Sequence, residues 1–141
     1  GNAKNSDSEK LYAFGLNMGI AFQLQDDLLD VFGNENEIGK QKGGDIIANK
    51  KTYLLLKAQE LATNEIKTKL NALLFNTDIT SKEKVNSVID CYYELNIEAE
   101  VKMQIQFYNK KAIESLNGIS VPSNKLQTII SLAENLLNRK S

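Results

Sequence analysis

The sequence predicts an all-α protein built as a helical bundle, and two observations support that class. A single proline occurs in 141 residues, and few stretches show the alternation of apolar and polar residues that half-buried strands need. Apolar residues instead recur at intervals of three and four, as in helices with one buried face. The apolar fraction of 42% and the charged fraction of 25% are ordinary for one globular core, so residues 1–141 are expected to form a single all-helical segment.

The first helix is expected to run from about Glu9 to Phe32, after a polar start over residues 1–8. Apolar residues cover most of its circumference, and a helix of that kind must be buried on all sides. The bundle that follows is small, so we expect the chain to self-associate through the part of this helix that stays uncovered. A loop from Gly33 to Gly44 ends the helix and holds four of the eight glycines.

The second helix, expected from about Asn49 to Phe75, carries a broad apolar stripe. This stripe comprises Leu54, Leu55, Ala58, Leu61, Ala62, Ile66, Leu70, Leu73 and Leu74. Thr80 and Glu83 have the spacing of a capping box, in which each side chain bonds the backbone amide of the other residue. A third helix is therefore expected from Ser81 to about Leu95.

Two further helices are expected in the remainder of the chain. The fourth covers residues 96–116 and has apolar residues at intervals of three and four, namely Ile97, Val101, Ile105, Tyr108, Ala112 and Leu116. Pro122 and Ser123 break the chain before a last helix. The inner face of that helix is predicted to consist of Leu126, Ile129, Ile130, Ala133, Leu136 and Leu137.

Charge and composition exclude several classes of function. Seventeen basic residues nearly balance eighteen acidic ones, so no overall field attracts nucleic acid or an anionic membrane. The longest apolar run, residues 11–22, is interrupted by Asn17 and is too short to span a membrane. The complete absence of histidine removes most zinc-hydrolase and Ser-His schemes.

The single cysteine bears on the cellular compartment of the protein, and the first residue bears on whether the chain is part of a longer protein. Cys91 lies in a helical pattern, excludes an internal disulfide framework and suits a reducing compartment, so we expect a small buried thiol in a cytoplasmic protein. No targeting pattern is visible at the start. The first residue is glycine rather than methionine, and we expect the chain to begin within a longer protein.

Three carboxylates lie within the apolar stretch "FQLQDDLLDVFG". Asp26, Asp27 and Asp30 share about 100° of the helix circumference with Gln23, and no lysine or arginine lies within one helical turn. On a solvated face such like charges cost only a few tenths of a kcal/mol. In a partly dry cleft each pair would repel by roughly 3 kcal/mol, and a cation would be required. Mg²⁺ is then the natural candidate, because it accepts carboxylate, water and phosphate oxygens.

A loop rich in glycine and lysine, "IGKQKGGDIIANKKTY", follows these acids. Glycines let backbone amides approach an anion, and Lys40 and Lys50 supply compact positive charges for phosphate oxygens. The spacing does not match the P-loop of nucleotide triphosphatases. Taken alone, such a loop is more often a solvated connection, and its adjacency to the aspartates is what favours phosphate binding. Asp45 within it could cap a helix or orient a lysine.

Together these two motifs resemble the trans-type polyprenyl (isoprenyl) diphosphate synthases. "FQLQDDLLD" is similar to their second aspartate-rich motif, and "GKQKGGDIIANKKTY" is similar to the segment that follows it. The resemblance implies the C-terminal portion of the isoprenoid synthase fold. It further implies that Asp26, Asp27 and Asp30 hold magnesium against an allylic prenyl diphosphate, that Gln23 faces the reacting centre, and that Lys40 and Lys50 bind diphosphate oxygens.

The same resemblance implies which reaction the parent protein catalyses and whether this segment could catalyse it alone. The allylic diphosphate ionises to a carbocation that the double bond of isopentenyl diphosphate attacks. The family uses two aspartate-rich motifs and this chain has one, so the parent protein is expected to be a prenyltransferase, usually a homodimer, and this segment alone is expected to be inactive. Two alternatives stay open: a noncatalytic helical subunit that partners a catalytic chain, and a terpene cyclase.

Overall fold

The computed structural model describes residues 2–33 and 42–138 of the chain. Within these ranges all regular structure is helical, which confirms the all-α prediction. The described helices are α1 (Asn2–Phe32), α2 (Gly44–Ile47), α3 (Tyr53–Leu61), α4 (Asn64–Phe75), α5 (Ser81–Glu94), α6 (Ile97–Glu114) and α7 (Ser123–Leu137). Among the described residues, no helix meets the requirements for a membrane span.

The described residues group into two compact units. The first contains residues 2–25 and 103–138, and its core includes Met18, Ala21, Ala112, Leu116 and Ala133. The second contains residues 26–33 and 42–102, and its most deeply buried side chains are Leu54, Leu70, Val88, Cys91, Tyr92, Ile97 and Val101. The burial of Cys91 confirms the prediction of a small buried thiol. The prediction of one domain over residues 1–141 stays a prediction.

The first helix ends at Phe32 as predicted but begins at Asn2, ahead of the expected start at Glu9. The polar residues Ser6 and Ser8 lie inside this helix, where serine is tolerated at a small cost. Leu11, Tyr12 and Leu16 are 44%, 73% and 53% exposed. The predicted self-association through this surface stays a prediction.

The prediction of one helix from Asn49 to Phe75 was wrong, because α3 and α4 are separate helices. Ala62 and Thr63 are extended between them, with ψ angles of 136° and 151°. Thr63 is the N-cap of α4, and the cap-type residue was a visible signal. The apolar stripe concealed the break, because Ala62 stays buried in the extended segment and so continues the pattern. The short α2 was not predicted either.

The capping box at the start of α5 is confirmed. Thr80 Oγ1 accepts the Glu83 amide at 3.1 Å, and Glu83 Oε2 accepts the Thr80 amide at 3.3 Å. These bonds satisfy two backbone donors that the first turn of a helix leaves unpaired. The helix then runs to Glu94, one residue short of the predicted end.

The predicted buried stripe of α6 is confirmed at five of its six positions, with Tyr108 only half-buried. The predicted inner face of α7 was partly wrong. Ala133 and Leu137 are buried there, but Ile129 and Leu136 are 40% and 45% exposed. Leu126 and Ile130 are partly buried, so the covered residues recur at intervals of three and four along one stripe of α7.

Tyr92 supplies a prediction about alkaline stability. Its side chain is 2% exposed and packs 6.5 Å from the Phe32 ring. Burial, followed by the charges of Cys91 and Asp45, raises the pKa of the Tyr92 phenol above its ordinary value. The unfolded chain would release this proton near pH 10 while the folded chain keeps it, so folding stability falls as pH rises above that value.

The loss in free energy of unfolding should approach about 1.4 kcal/mol per pH unit from this group. Tyr92→Phe should flatten the fall, measured by denaturant titration between about pH 9 and pH 12. Tyr93→Phe is the matched control, since Tyr93 is adjacent and 57% exposed. Equal alkaline slopes in wild type and Tyr92→Phe would contradict the prediction.

Candidate functional site

Asp30 connects the end of α1 to the start of α2. Its carboxylate Oδ2 accepts the backbone amide of Asp45 at 2.9 Å, and its backbone carbonyl accepts the amide of Gly43 at 2.7 Å. The Asp30 residue is only 7% exposed, so the amide compensates part of the cost of burying its charge. The acidic end of α1 and the glycine-rich segment are therefore joined by hydrogen bonds.

Gly43 lets this segment lie against α5. Its φ of 83° is in the left-handed region, where glycine pays no steric cost. A Cβ built at Gly43 would lie 2.6 Å and 2.8 Å from the two γ-methyl carbons of Val85. Only glycine therefore fits the observed backbone, and this close approach fixes where α2 begins.

A Schellman motif ends α2 and turns the chain into Lys50. The amide of Asn49 donates to the carbonyl of Ile46 at 3.1 Å, and the amide of Lys50 donates to the carbonyl of Asp45 at 2.9 Å. Asn49 occupies the left-handed position of the motif with a φ of 54°. The motif places Lys50 directly after the turn, next to Asp45.

Lys50 lies between two carboxylates. Its Nζ is 3.8 Å from Asp27 Oδ1 and 3.9 Å from Asp45 Oδ1. The side chains of Asp27 and Asp45 are 10% and 24% exposed, whereas that of Lys50 is 53% exposed. At these distances the charges attract without close hydrogen bonds, so the ammonium keeps donors available on its outer side.

No base lies within one helical turn of the acids, and the base nearest to Asp27 among the described residues comes from the glycine-rich segment. The turn after α2 returns the chain to the end of α1 and brings Lys50 to Asp27. A separation of 23 positions gives no periodic signal, so spacing within one helix could not reveal the pair. Of the two roles open to Asp45, capping a helix or orienting a lysine, its position 3.9 Å from Lys50 Nζ agrees with the second.

The predicted site residues differ in their placement. Asp27 and Asp30 are buried, while Asp26 and Gln23 are exposed. Gln23 belongs to the first compact unit and the three aspartates belong to the second. Lys40 lies outside the described residues. The structure therefore brings Asp27 and Lys50 together and links Asp30 to the same segment.

The carboxylates of this region could supply only part of the ligand set of a hard cation. In residues 2–33 and 42–138, no three carboxylate, thiol or imidazole groups converge in a metal-binding arrangement. Magnesium in phosphate-transfer sites commonly takes one or two protein carboxylates and completes its shell with water and phosphate. Asp27 and Asp30 could supply oxygens of that kind. The assignment of Asp26, Asp27 and Asp30 to Mg²⁺ stays a prediction.

Lys50 is one of the residues that line a small cavity. It has a volume of about 10 Å³ and is lined in part by Asp45, Asn49, Lys50 and Tyr92. That volume accommodates about one water molecule. A diphosphate is much larger, so any such ligand would have to contact Lys50 from its exposed side.

Comparison with known proteins finds related sequences. The family model described as polyprenyl synthetase matches residues 1–92. A geranylgeranyl diphosphate synthase of Sulfolobus acidocaldarius is 36% identical over 121 residues, covering 86% of this chain and 36% of that protein. A farnesyl diphosphate synthase of Artemisia spiciformis is 38% identical over 113 residues, covering 80% of this chain and 31% of that protein.

A solved structure agrees with the sequence matches. The crystal structure of a geranylgeranyl pyrophosphate synthase has a TM-score of 0.84 and 33% identity, covering 96% of this chain and 42% of that one. The helical arrangement is thus the isoprenoid synthase fold that the resemblance implied. The chain spans only about a third of the length of the curated relatives it matches.

Proposed function

Because the chain belongs to the polyprenyl synthetase family, we propose that it forms part of a prenyltransferase that condenses an allylic prenyl diphosphate with isopentenyl diphosphate. The observation that carries the proposal is the arrangement of Asp27, Asp45 and Lys50 next to Asp30. It combines buried carboxylates, which favour a divalent cation, with a half-exposed ammonium that favours a phosphate oxygen.

In this proposal Asp26, Asp27 and Asp30 hold Mg²⁺, which when bound would offset the negative charge of the diphosphate leaving group. Lys50 binds diphosphate oxygens through the outer side of its ammonium, and Lys40 adds a second positive charge. Gln23 faces the reacting centre. Asp45 holds the Lys50 ammonium beside Asp27, so that cationic and anionic groups meet without large rearrangement.

The proposal extends to location and assembly. We propose a cytoplasmic protein, since the one cysteine is a buried thiol that suits a reducing compartment. The parent protein is proposed to be a homodimer, as the family resemblance implies. The 141-residue segment alone is proposed to be inactive, because it carries only one of the two aspartate-rich motifs that the family uses.

Calorimetric titration of inorganic diphosphate into the 141-residue chain tests the binding half of this proposal. We expect affinity that requires magnesium and falls by roughly tenfold or more in Asp27→Asn, since carboxylates that hold the metal are replaced by a weaker ligand. Asp90→Asn is the matched control, because Asp90 is an exposed aspartate of the same compact unit.

Binding that is indifferent to magnesium and to Asp27→Asn would contradict the proposed site. Complete absence of binding by the well-folded chain would instead favour the noncatalytic helical subunit. Circular dichroism of both variants shows whether any loss reflects unfolding.

A further inference from the structure

We propose that Asn49 and Lys84 are positioning residues for Lys50, acting through a hydrogen-bonded connection between the turn after α2 and the helices α4 and α5. This inference rests on the proposed role of Lys50 as a diphosphate ligand. Neither residue touches the diphosphate in this proposal. Both set where the Lys50 backbone, and therefore the base of its side chain, is held.

The side chain of Asn49 is bonded at both of its polar atoms. Its Oδ1 accepts Lys84 Nζ at 2.6 Å, and its Nδ2 donates to the backbone carbonyl of Leu74 at 3.0 Å. Lys84 Nζ also lies 3.5 Å from the carbonyl of Ile47. The opposite orientation of the amide would place its NH₂ against the ammonium, so the two partners together determine which way it points.

The backbone conformation explains why asparagine is useful at this position. Asn49 is the left-handed residue of the Schellman motif, a position that only glycine, asparagine and aspartate adopt readily. Glycine would complete the turn but has no side chain to reach Leu74 or Lys84. Asparagine satisfies the turn and also connects it to two helices that are distant in sequence.

The hydrogen bonds of the Asn49 side chain end on two regular helices, α5 and α4. Lys84 is in the first turn of α5, directly after the capping box formed by Thr80 and Glu83. Leu74 is in the last turn of α4. Lys50 follows Asn49 immediately, and its own amide is bonded to Asp45. A flexible four-carbon side chain is thereby attached to a backbone fixed on both sides, which keeps its ammonium near Asp27 and Asp45.

Lys84→Met is the main test, because it removes the ammonium and keeps a long apolar stem. Magnesium-dependent affinity for inorganic diphosphate should fall by roughly threefold to tenfold, as expected for losing one hydrogen bond to a charged group that acts indirectly. Lys82→Met is the matched control, since it removes the same charge from an exposed position of the same helix and should leave affinity unchanged. Asn49→Gly should reproduce the effect of Lys84→Met while keeping the turn.

The Lys50→Ala background separates positioning from direct contact. If Lys84 acts through Lys50, adding Lys84→Met to Lys50→Ala should weaken diphosphate binding no further. A second loss of the same size in that background would show that Lys84 itself meets the ligand and would overturn the inference. Lys84→Arg should restore part of the affinity, because it keeps a donor near Asn49.

Amide hydrogen exchange provides a readout that needs no ligand. The Lys50 amide, bonded to Asp45, should exchange severalfold faster in Lys84→Met and in Asn49→Gly but not in Lys82→Met. Unchanged exchange at Lys50 overturns the positioning inference whatever the binding data show. Faster exchange in a chain that binds no diphosphate would support the connection and contradict only the proposed role of Lys50.

Discussion

Replacing Gly43 by alanine is expected to lower the free energy of unfolding by about 3 kcal/mol, a large share of the stability of a small domain. Two costs add. The left-handed backbone at a φ of 83° penalises any residue with a Cβ by about 1–2 kcal/mol. The new methyl would lie 2.6 Å from a γ-carbon of Val85, and overpacking of a core typically costs about 1–3 kcal/mol.

Val85 cannot relieve this contact easily, because its branched side chain is buried and has few alternative rotamers. Equilibrium unfolding in urea measures the loss. Gly44→Ala is the matched control, since its Cβ would make only an ordinary 3.5 Å contact with Asp30 Oδ1. Val85→Ala in the Gly43→Ala background should recover the steric part of the cost, and a Gly43→Ala variant as stable as wild type would contradict the argument.

Replacing Lys50 by alanine in the full-length parent protein is expected to reduce prenyl transfer by about 10²-fold. Charged groups placed against developing negative charge typically contribute that much or more to the rate, because the site is arranged before the reaction begins. The variant also leaves Asp27 without the ammonium that lies 3.8 Å from it. The measurement is steady-state product formation from labelled isopentenyl diphosphate and an allylic diphosphate with magnesium.

Lys51→Ala controls for the loss of one positive charge, because Lys51 is exposed and adjacent in sequence. It should keep turnover within about twofold of wild type, as surface charges away from a site contribute little. Equal turnover in Lys50→Ala and Lys51→Ala would contradict the role of Lys50. Turnover by the 141-residue chain alone would contradict its proposed inactivity.

Local chemistry explains which parts of the fold could be predicted from the sequence. The end of α1 at Phe32 and the start of α5 at Ser81 depend on nearby glycine and capping residues, and both were predicted correctly. The break between α3 and α4 was missed because an apolar pattern can continue through two extended residues when both helices pack on one core. The exposed positions of α7 depend on which neighbours cover it, and periodicity alone does not contain that information.

The candidate site, like the fold, could be predicted from the sequence only in part. Residue types made Asp27, Asp30 and Lys50 candidates, because carboxylates within an apolar stretch and a lysine in a glycine-rich segment are unusual enough to be noticed. The partnership of Lys50 with Asp27 and Asp45 depends on the path of the turn after α2. Asn49 and Lys84 gave no signal, since their contact joins positions 35 residues apart and each residue type is common on surfaces.

The contact between Gly43 and Val85 has an evolutionary consequence. Because the two γ-methyl carbons of Val85 fill the space that a side chain at position 43 would need, position 43 is not free to change while valine stays at position 85. Descendants of this chain that acquire a bulkier residue at position 85 should retain glycine at position 43. A lineage that loses this glycine should first have acquired a smaller residue on α5, so the order of the two substitutions is constrained as well as their identity.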